Sequence, residues 1–490
     1  MNAQSGGAGH GAIWVAGVFL LLIGLFLPAL VNRQPVMYPD SVGYFHSGYA
    51  AIKQAKASLD AHRVDHAEAR PAGSVLTRQQ ADGITTARSV YYGLTYVVSY
   101  VLAGAWGLAG GQVLLTLFCL MLAARRAVRL DLLPWFAALG AIVLLTGLNF
   151  FAVTAMPDLF AGLMLLGMAM ILAYGPALPR WEYAFWMALV VVAGLFHKAH
   201  LAILALSLLA GAVVLPGIWR RHGRDLLLLA GAGAVALAGH CAVDLTVRQL
   251  TGKFPIATPF ALARLVGDGT AERYLRDVCP TRHFTTCDYL AKMPMSENDF
   301  LWSREADKSV MGDADRQTRA AIADEAGAIV LGTLAAYPLE EAAAAARNVL
   351  VQLGDVGVGE FGLVPSDPVA PVPMLRWALN QYRASAIAEG WMPLMEISIL
   401  MRGVYFAALV GIGTLLWRRP RGPGRDDPDV RFVLLLLTGI AANAVVSGAI
   451  AGVFDRYQGR VAWLASLGFA VLLAKMLQSR RHASEALKAR

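Results

Sequence analysis

Charge is what this sequence has least of. Asp, Glu, Lys and Arg make up 16% of its 490 residues, against about a quarter in an ordinary soluble domain. The apolar residues, 57% of the chain, come in long blocks without polar interruption, and the mean hydropathy is +0.53. A soluble fold of this length would alternate polar and apolar faces over two or three domains. The pattern excludes that and requires a bilayer as solvent. Familiar fingerprints are missing too: no P-loop, dinucleotide-binding glycine pattern, Ser nucleophile elbow or zinc-protease helix occurs. Nucleotide-driven chemistry and proteolysis therefore have no support. The sequence also lacks internal repeats, strand-period patterns and low-complexity segments.

What charge there is follows a rule. A net charge of +8 invites a nucleic-acid reading, but the basic residues cluster directly after apolar blocks. The clusters are Arg125/Arg126/Arg129, Arg220/Arg221/Arg224, Arg418/Arg419/Arg421/Arg425 and Arg480/Arg481. This is the positive-inside signature, so they read as topology anchors and no nucleic-acid partner is expected. Apolar runs of roughly 17–22 residues fall at 11–31, 109–125, 133–152, 158–174, 181–196, 199–216, 225–243, 398–416, 431–452 and 460–476. Residues 11–31 lack a basic n-region and a small-x-small cleavage site, which predicts a retained signal anchor. If Tyr91–Trp106 also crossed, Arg125, Arg126 and Arg129 would fall outside. Its four tyrosines and one tryptophan suit the headgroup level instead.

The expected fold class is thus an all-α polytopic membrane protein with about ten transmembrane helices, juxtamembrane helices and a helical periplasmic domain. Three regions follow: 1–243, an N-terminal transmembrane module with a long outer loop at 32–90; 244–397, an outer helical loop domain; and 398–490, the last spans and a cytoplasmic tail. Both termini are expected inside. The Ala/Gly/Arg-rich composition is of bacterial type, which makes the membrane an inner membrane and the outer face periplasmic. In loop 32–90, Phe45, Tyr49, Ile52 and Leu59 at helical spacing predict a helix lying on the membrane. In loop 244–397, Arg316–Leu353 is Ala-rich and helix-forming, with a break at Pro338.

Parity places the chemistry-capable residues on the outer face. Asp40, in Tyr-Pro-Asp-Ser, follows the first span; it reads either as a general base or as the cap of the next helix. Asp158, in Met-Pro-Asp, opens the fourth span with the same choice, helped by the helix dipole. His197-Lys198-Ala199-His200 forms a tight outer turn. Lys198 opposes the charge rule there, and a phosphate at the interface would be its natural partner. His197 and His200 share a helical face, as ligands of a metal together with Asp40 or Asp158, or simply as hydrogen-bonded side chains. Arg456 and Arg460 oppose the charge rule in the same way, and Arg88, Arg78 and Arg402 are candidates of lower weight. Cys119 and Cys241 lie inside apolar blocks as small core residues. Cys279 and Cys287 lie in the late outer loop, where a disulfide is favoured over a zinc site, since no His or Cys stands at zinc spacing.

These features resemble the GT-C-fold glycosyltransferases, membrane enzymes that use polyprenyl-phosphate-linked sugars. The resemblance runs over residues 11–250. It rests on Asp40 in Tyr-Pro-Asp-Ser-Val-Gly-Tyr after the first span, the juxtamembrane stretches that follow, and Met156-Pro157-Asp158-Leu159. It implies that Asp40 acts as base in an inverting transfer, and that Asp158, His197 and His200 support the site. Lys198, Arg456, Arg88 and Arg460 would hold the donor phosphate. The partners it implies are a polyprenyl-phosphate-linked sugar donor, a glycan, lipid or protein acceptor and membrane lipids. Ser41 stands after Asp40 where the family usually has an acidic pair, so no cofactor is required and a divalent metal stays an open alternative. An oligosaccharide polymerase or O-antigen-ligase-type enzyme also fits, because loop 244–397 carries Arg264, Arg273, Arg276, Arg282, Arg304, Arg316, Arg319 and Arg347. A lipid or solute transporter is the alternative of another class. It would need paired Gly/Pro-broken spans and midplane charges, and neither is present.

Overall fold

The structure, a computed structural model, describes residues 5–64, 88–365, 372–418 and 427–488. Arg78 and three arginines of one basic cluster, Arg419, Arg421 and Arg425, lie outside the described residues. The architecture is all-α. No strand occurs among the described residues, and an isolated parallel bridge joins Val36 to Thr154.

The helices of the apolar body, in chain order, are α1 (Ser5–Val31), α2 (Pro39–Val64), α3 (Val90–Ala127), α4 (Leu132–Leu145), α5 (Leu148–Val153), α6 (Leu159–Tyr174), α7 (Arg180–Phe196), α8 (Lys198–Val214) and α9 (Ile218–Thr251). A smaller set follows: α10 (Phe260–Gly267), α11 (Thr270–Val278), α12 (Glu297–Trp302), α13 (Arg316–Ala336), α14 (Pro338–Gly354) and α15 (Pro373–Tyr382). The body then closes with α16 (Leu394–Trp417), α17 (Pro428–Val446) and α18 (Asp455–Lys488). Helix α6 is apolar all round and every one of its residues is buried, as a helix at the centre of a bundle must be. Helices α7, α17 and α18 wrap it.

Seven helices among the described residues are long and apolar enough to cross a membrane, or eight if the pair α13–α14, bent by 104°, counts as one. That makes the chain compatible with a multi-pass membrane protein. Three of the ten anticipated runs are shorter as helices. The run 133–152 breaks at Gly147, whose φ of 73° starts α5 afresh. Helices α7 and α8 have 17 residues each, which at 1.5 Å per residue is about 26 Å, short of a hydrocarbon core of about 30 Å. Tyr91–Trp106 lies in the first half of α3, which is broken within that segment at Ala103 and Gly104, where φ is −148° and +61°. The anticipated surface helix is the start of α2, and one of its faces packs on α3. Phe45 sits edge-on to Tyr96 and Tyr100, with centroids 5.2 and 5.5 Å away.

The late loop builds a core of its own. Leu262, Phe300, Ile322 and Ile329 are fully buried in a second hydrophobic cluster formed by α10–α13. Arg264 is buried there against Asp268 and Glu297, each 2.9 Å away, and Cys279 and Cys287 are joined by a disulfide. Pro338 starts α14 after the break at Tyr337, where the sequence predicts one.

The body has two ends of different character. One collects the arginine clusters. Arg125 and Arg126 meet Glu182, Lys475 meets Asp427 and Asp429, and Arg481 meets Asp131. At the other end Asp40, Asp158, Glu360, Arg88, Arg456 and Arg460 come together.

Candidate functional site

The Val36–Thr154 bridge sets the geometry of that second end. Val36 N–H donates to Val153 O at 3.1 Å and Ala155 N–H to Val36 O at 2.9 Å. The stretch leading to Asp40 is thereby stitched beside the turn leading to Asp158. Neither acid caps its helix. Asp40 lies in the first turn of α2, where Ser41 Oγ accepts from the Tyr38 N–H instead, and the Asp40 carboxylate pairs with Arg88. Asp158 precedes α6 without a side-chain cap hydrogen bond.

Asp158 is turned instead toward the start of α18. Arg460 Nη1 donates to its Oδ1 at 3.1 Å, and Arg456 Nη1 lies 3.5 Å from its Oδ2. Arg456 also donates through Nε to Glu360 Oε2 at 2.7 Å and stands 4.0 Å from Asp40. Its guanidinium is sandwiched between the rings of Tyr38 and Tyr457, at 4.4 and 4.5 Å. Arg460 donates to Asn443 Oδ1 at 3.1 and 2.9 Å and reaches Ser447 Oγ at 3.5 Å. Ser447 begins a short π-helical segment after α17, Ser447–Ala451, a local widening often found at functional sites. Arg88 completes the set, its guanidinium over Tyr44 and Trp302 at 5.8 and 5.4 Å.

Three carboxylates thus face three guanidinium groups. Exposure is graded across them, from 26% for the Asp40 side chain and 18% for Glu360 to 4% for Asp158 and Arg460. Asp40 is at the mouth and Asp158 on the floor. Burial pushes the Glu360 carboxyl up to about 7, against the opposing pull of Arg456.

Glu360, Trp302, Tyr457 and Asn443 are site members that the sequence reading did not single out. Glu360 arrives on Gly-Val-Gly-Glu-Phe-Gly (357–362), a segment pinned along α16 and α18. Gly359 N–H donates to Asp455 Oδ2 at 2.7 Å and Val358 N–H to Ser398 Oγ at 2.9 Å. A Cβ on Gly357 would stand 2.5 Å from Asp455 Oδ2 and 2.7 Å from Ser398 Oγ. The density of glycine was the available signal, since so close a backbone approach requires it.

Of the anticipated site residues, Asp40, Asp158, Arg88, Arg456 and Arg460 come together. Lys198 does not join them: it pairs with Asp244 at 3.3 Å on an exposed surface. Arg402 pairs with Asp355 at 2.8 Å. His197 caps α8, its Nδ1 accepting from Ala199 N–H at 3.1 Å, which leaves its proton on Nε2. Burial, then Arg460, Arg88 and Arg456, hold its pKa down to about 3, so it borders the site as a neutral ring. His200 Nδ1–H donates to Ala193 O at 2.7 Å, while its buried Nε2 has no partner. Its ring lies 5.2 Å from that of His197. Among the described residues no three His, Cys, Asp or Glu side chains form a group able to hold a metal. The three carboxylates here are each committed to guanidinium, which does not suit a divalent cation.

Fold and site together define an all-α, multi-helix protein with a buried lattice of acids and arginines at one end. No known protein family, curated protein or solved structure matches this chain.

Proposed function

We propose that the chain is a membrane glycosyltransferase that moves a sugar from a polyprenyl-phosphate donor to an acceptor hydroxyl on the periplasmic face of a bacterial inner membrane. In this reading the chain crosses the membrane about ten times, the three shorter helices included, and both termini are cytoplasmic. The observation that carries the proposal is the meeting of Asp40 with Arg88 and Arg456, beside the Asp158–Arg460 pair, at the end opposite the arginine clusters.

The chemistry follows from the gradient of burial. A donor phosphate entering from the membrane meets guanidinium groups already held in place by carboxylates and tyrosine rings. It exchanges for those carboxylates, because bidentate charge-assisted bonds to phosphate equal those it replaces. Asp40, the most exposed acid, accepts the proton of the acceptor hydroxyl as its oxygen attacks the anomeric carbon. The bond to the donor phosphate breaks, the phosphate leaves with the electron pair, and the anomeric configuration inverts. The fixed cations stabilise the charge that grows on the leaving oxygen. His197 contributes as a neutral hydrogen-bond donor through Nε2.

The pairing of the late-loop arginines favours this reading over the polymerase or ligase alternative. Arg264, Arg273 and Arg276 are engaged with Asp268 and Glu297, Glu340, and Glu272, and none of these ion pairs includes Asp40.

The test is release of free polyprenyl phosphate from a polyprenyl-phosphate-linked sugar by membranes containing the chain. Asp40→Asn should lower it by about 10²- to 10⁴-fold, the usual contribution of a general base, with expression and melting behaviour unchanged. Undiminished release by Asp40→Asn would remove Asp40 as base; absence of release by the unaltered chain, across several sugar donors, would remove the reading.

A further inference from the structure

A cavity of about 610 Å³ lies at the arginine end of the body, far from Asp40. Helices α1, α3 and α4 form its walls. Leu114, Leu117, Phe118 and Met121 run down α3 as one stripe that ends at Arg125, and at 1.5 Å per residue Leu114 to Arg125 spans about 16 Å. Trp14 and Trp135 close the same groove. It opens sideways, since Trp14, Leu114 and Phe118 are 49%, 59% and 43% exposed. Such a volume is that of an ordinary ligand site, and its apolar walls face the hydrocarbon layer of any membrane this body enters.

The mouth of the groove is not apolar. Arg125 and Arg129 both line it. Arg125 shares the buried Glu182 with Arg126, at 2.5 and 3.6 Å. Asp131, next to the mouth, is taken up by Arg481 at 2.8 Å. Arg129 has no carboxylate partner among the described residues. Around the mouth Arg125, Arg126, Arg129 and Arg481 stand with Glu182 and Asp131; Asp427 and Asp429, at the same end, are taken up by Lys475, so Arg129 keeps its positive charge where the apolar stripe ends. Tryptophans accompany it: Trp14 and Trp135 line the groove, and Trp181, Trp219 and Trp417 lie within one residue of the ends of α7, α9 and α16 beside basic residues, as aromatic side chains do at headgroup depth. An apolar stripe that ends in unneutralised guanidinium is complementary to an amphiphile with an anionic head. Neither a free anion nor a neutral lipid satisfies both halves.

We propose that this groove holds one anionic glycerophospholipid, its phosphate between Arg125 and Arg129 and one acyl chain along the α3 stripe. The site is separate from the sugar chemistry and stands or falls without it. Binding of this kind ties α1, which has few other neighbours at this end, to α3 and α4, and its selectivity is electrostatic.

The test is native mass spectrometry of the full chain released from nanodiscs of equal parts phosphatidylglycerol and phosphatidylcholine. The expected result is one retained phosphatidylglycerol, favoured at least about tenfold over phosphatidylcholine. Arg129→Gln, which breaks no ion pair of the fold, should reduce that preference below about threefold. Arg220→Gln, the same charge change at an exposed position of the same end, should leave it intact. Soluble glycerol phosphate should not displace the retained lipid. The inference is overturned by an equal preference in Arg129→Gln and the unaltered chain, by equal losses in Arg129→Gln and Arg220→Gln, or by displacement with glycerol phosphate. The first and second outcomes mean diffuse surface charge, and the third a head-group site without a chain groove.

Discussion

Each end of the helical body is built around a buried carboxylate shared by two arginines, and the two differ in where those arginines lead. At the basic end Glu182 is fully buried, but its partners Arg125 and Arg126 keep 60% and 30% of their side chains exposed. At the other end Asp158 is buried, and Arg456 and Arg460 are buried with it, at 7% and 4% exposure. The first arrangement is an anchor, since water continues to solvate both cations. The second places cations where desolvation penalises every one not paired, so it persists only because the lattice of Glu360, Asp40 and Asn443 satisfies it. A lattice of that kind is poised to exchange one anionic partner for another.

The contrast predicts unequal costs. Asp158→Ala leaves two buried guanidinium groups short of a partner and should destabilise the fold by about 3–5 kcal/mol. Glu182→Ala frees arginines that can turn to water, and the expected loss is about 1–3 kcal/mol. Thermal unfolding of both variants in one detergent reads the difference. Equal losses would show that the two clusters are the same structural device.

A smaller effect belongs to Glu360. Its carboxyl titrates near 7 in the fold, against an ordinary value of 4.5, so between those pH values the folded chain binds more protons than the unfolded one. Stability therefore falls as pH rises from about 4.5 to 7, by no more than about 3 kcal/mol. Glu360→Gln should flatten that segment of the pH profile. An unchanged slope in Glu360→Gln would assign the titration elsewhere.

Glu360 also marks where the sequence stops being legible. Arg456 and Arg460 could be found because they oppose the positive-inside rule on the outer face, and Asp40 and Asp158 because each opens a helix beside a span on that same face. Glu360 obeys no such rule. It sits in a polar loop, and only the fold of that loop, pinned by Asp455 and Ser398, carries it back across the bundle to Arg456. The break at Pro338 was readable from local chemistry. The interruption of 133–152 was harder to see, because Gly147 is a single residue inside an apolar run and its positive φ leaves no mark on hydropathy. Lys198 misleads for the same reason that Arg456 informs. It opposes the charge rule, but the residue that justifies it, Asp244, lies on α9, more than forty residues along the chain.

Lys198 supplies the smallest expected effect and the sharpest check on where the site ends. Its ammonium lies 3.3 Å from Asp244, with 42% of its side chain exposed and 29% of its partner's. Ion pairs at that exposure contribute about 0–1 kcal/mol and are screened by salt. Lys198→Met should therefore shift the melting transition little and change the release of polyprenyl phosphate less than about twofold. A phosphate ligand in contact with Lys198 predicts otherwise, because loss of one charge-assisted bond of about 1.5–3 kcal/mol lowers the rate by roughly ten- to a hundredfold. Assaying Lys198→Met beside Arg456→Met separates the two. A large loss in Arg456→Met alone limits the anion site to the buried lattice. A comparable loss in both extends it across the turn between α7 and α8, and requires Lys198 to leave Asp244 when the donor binds.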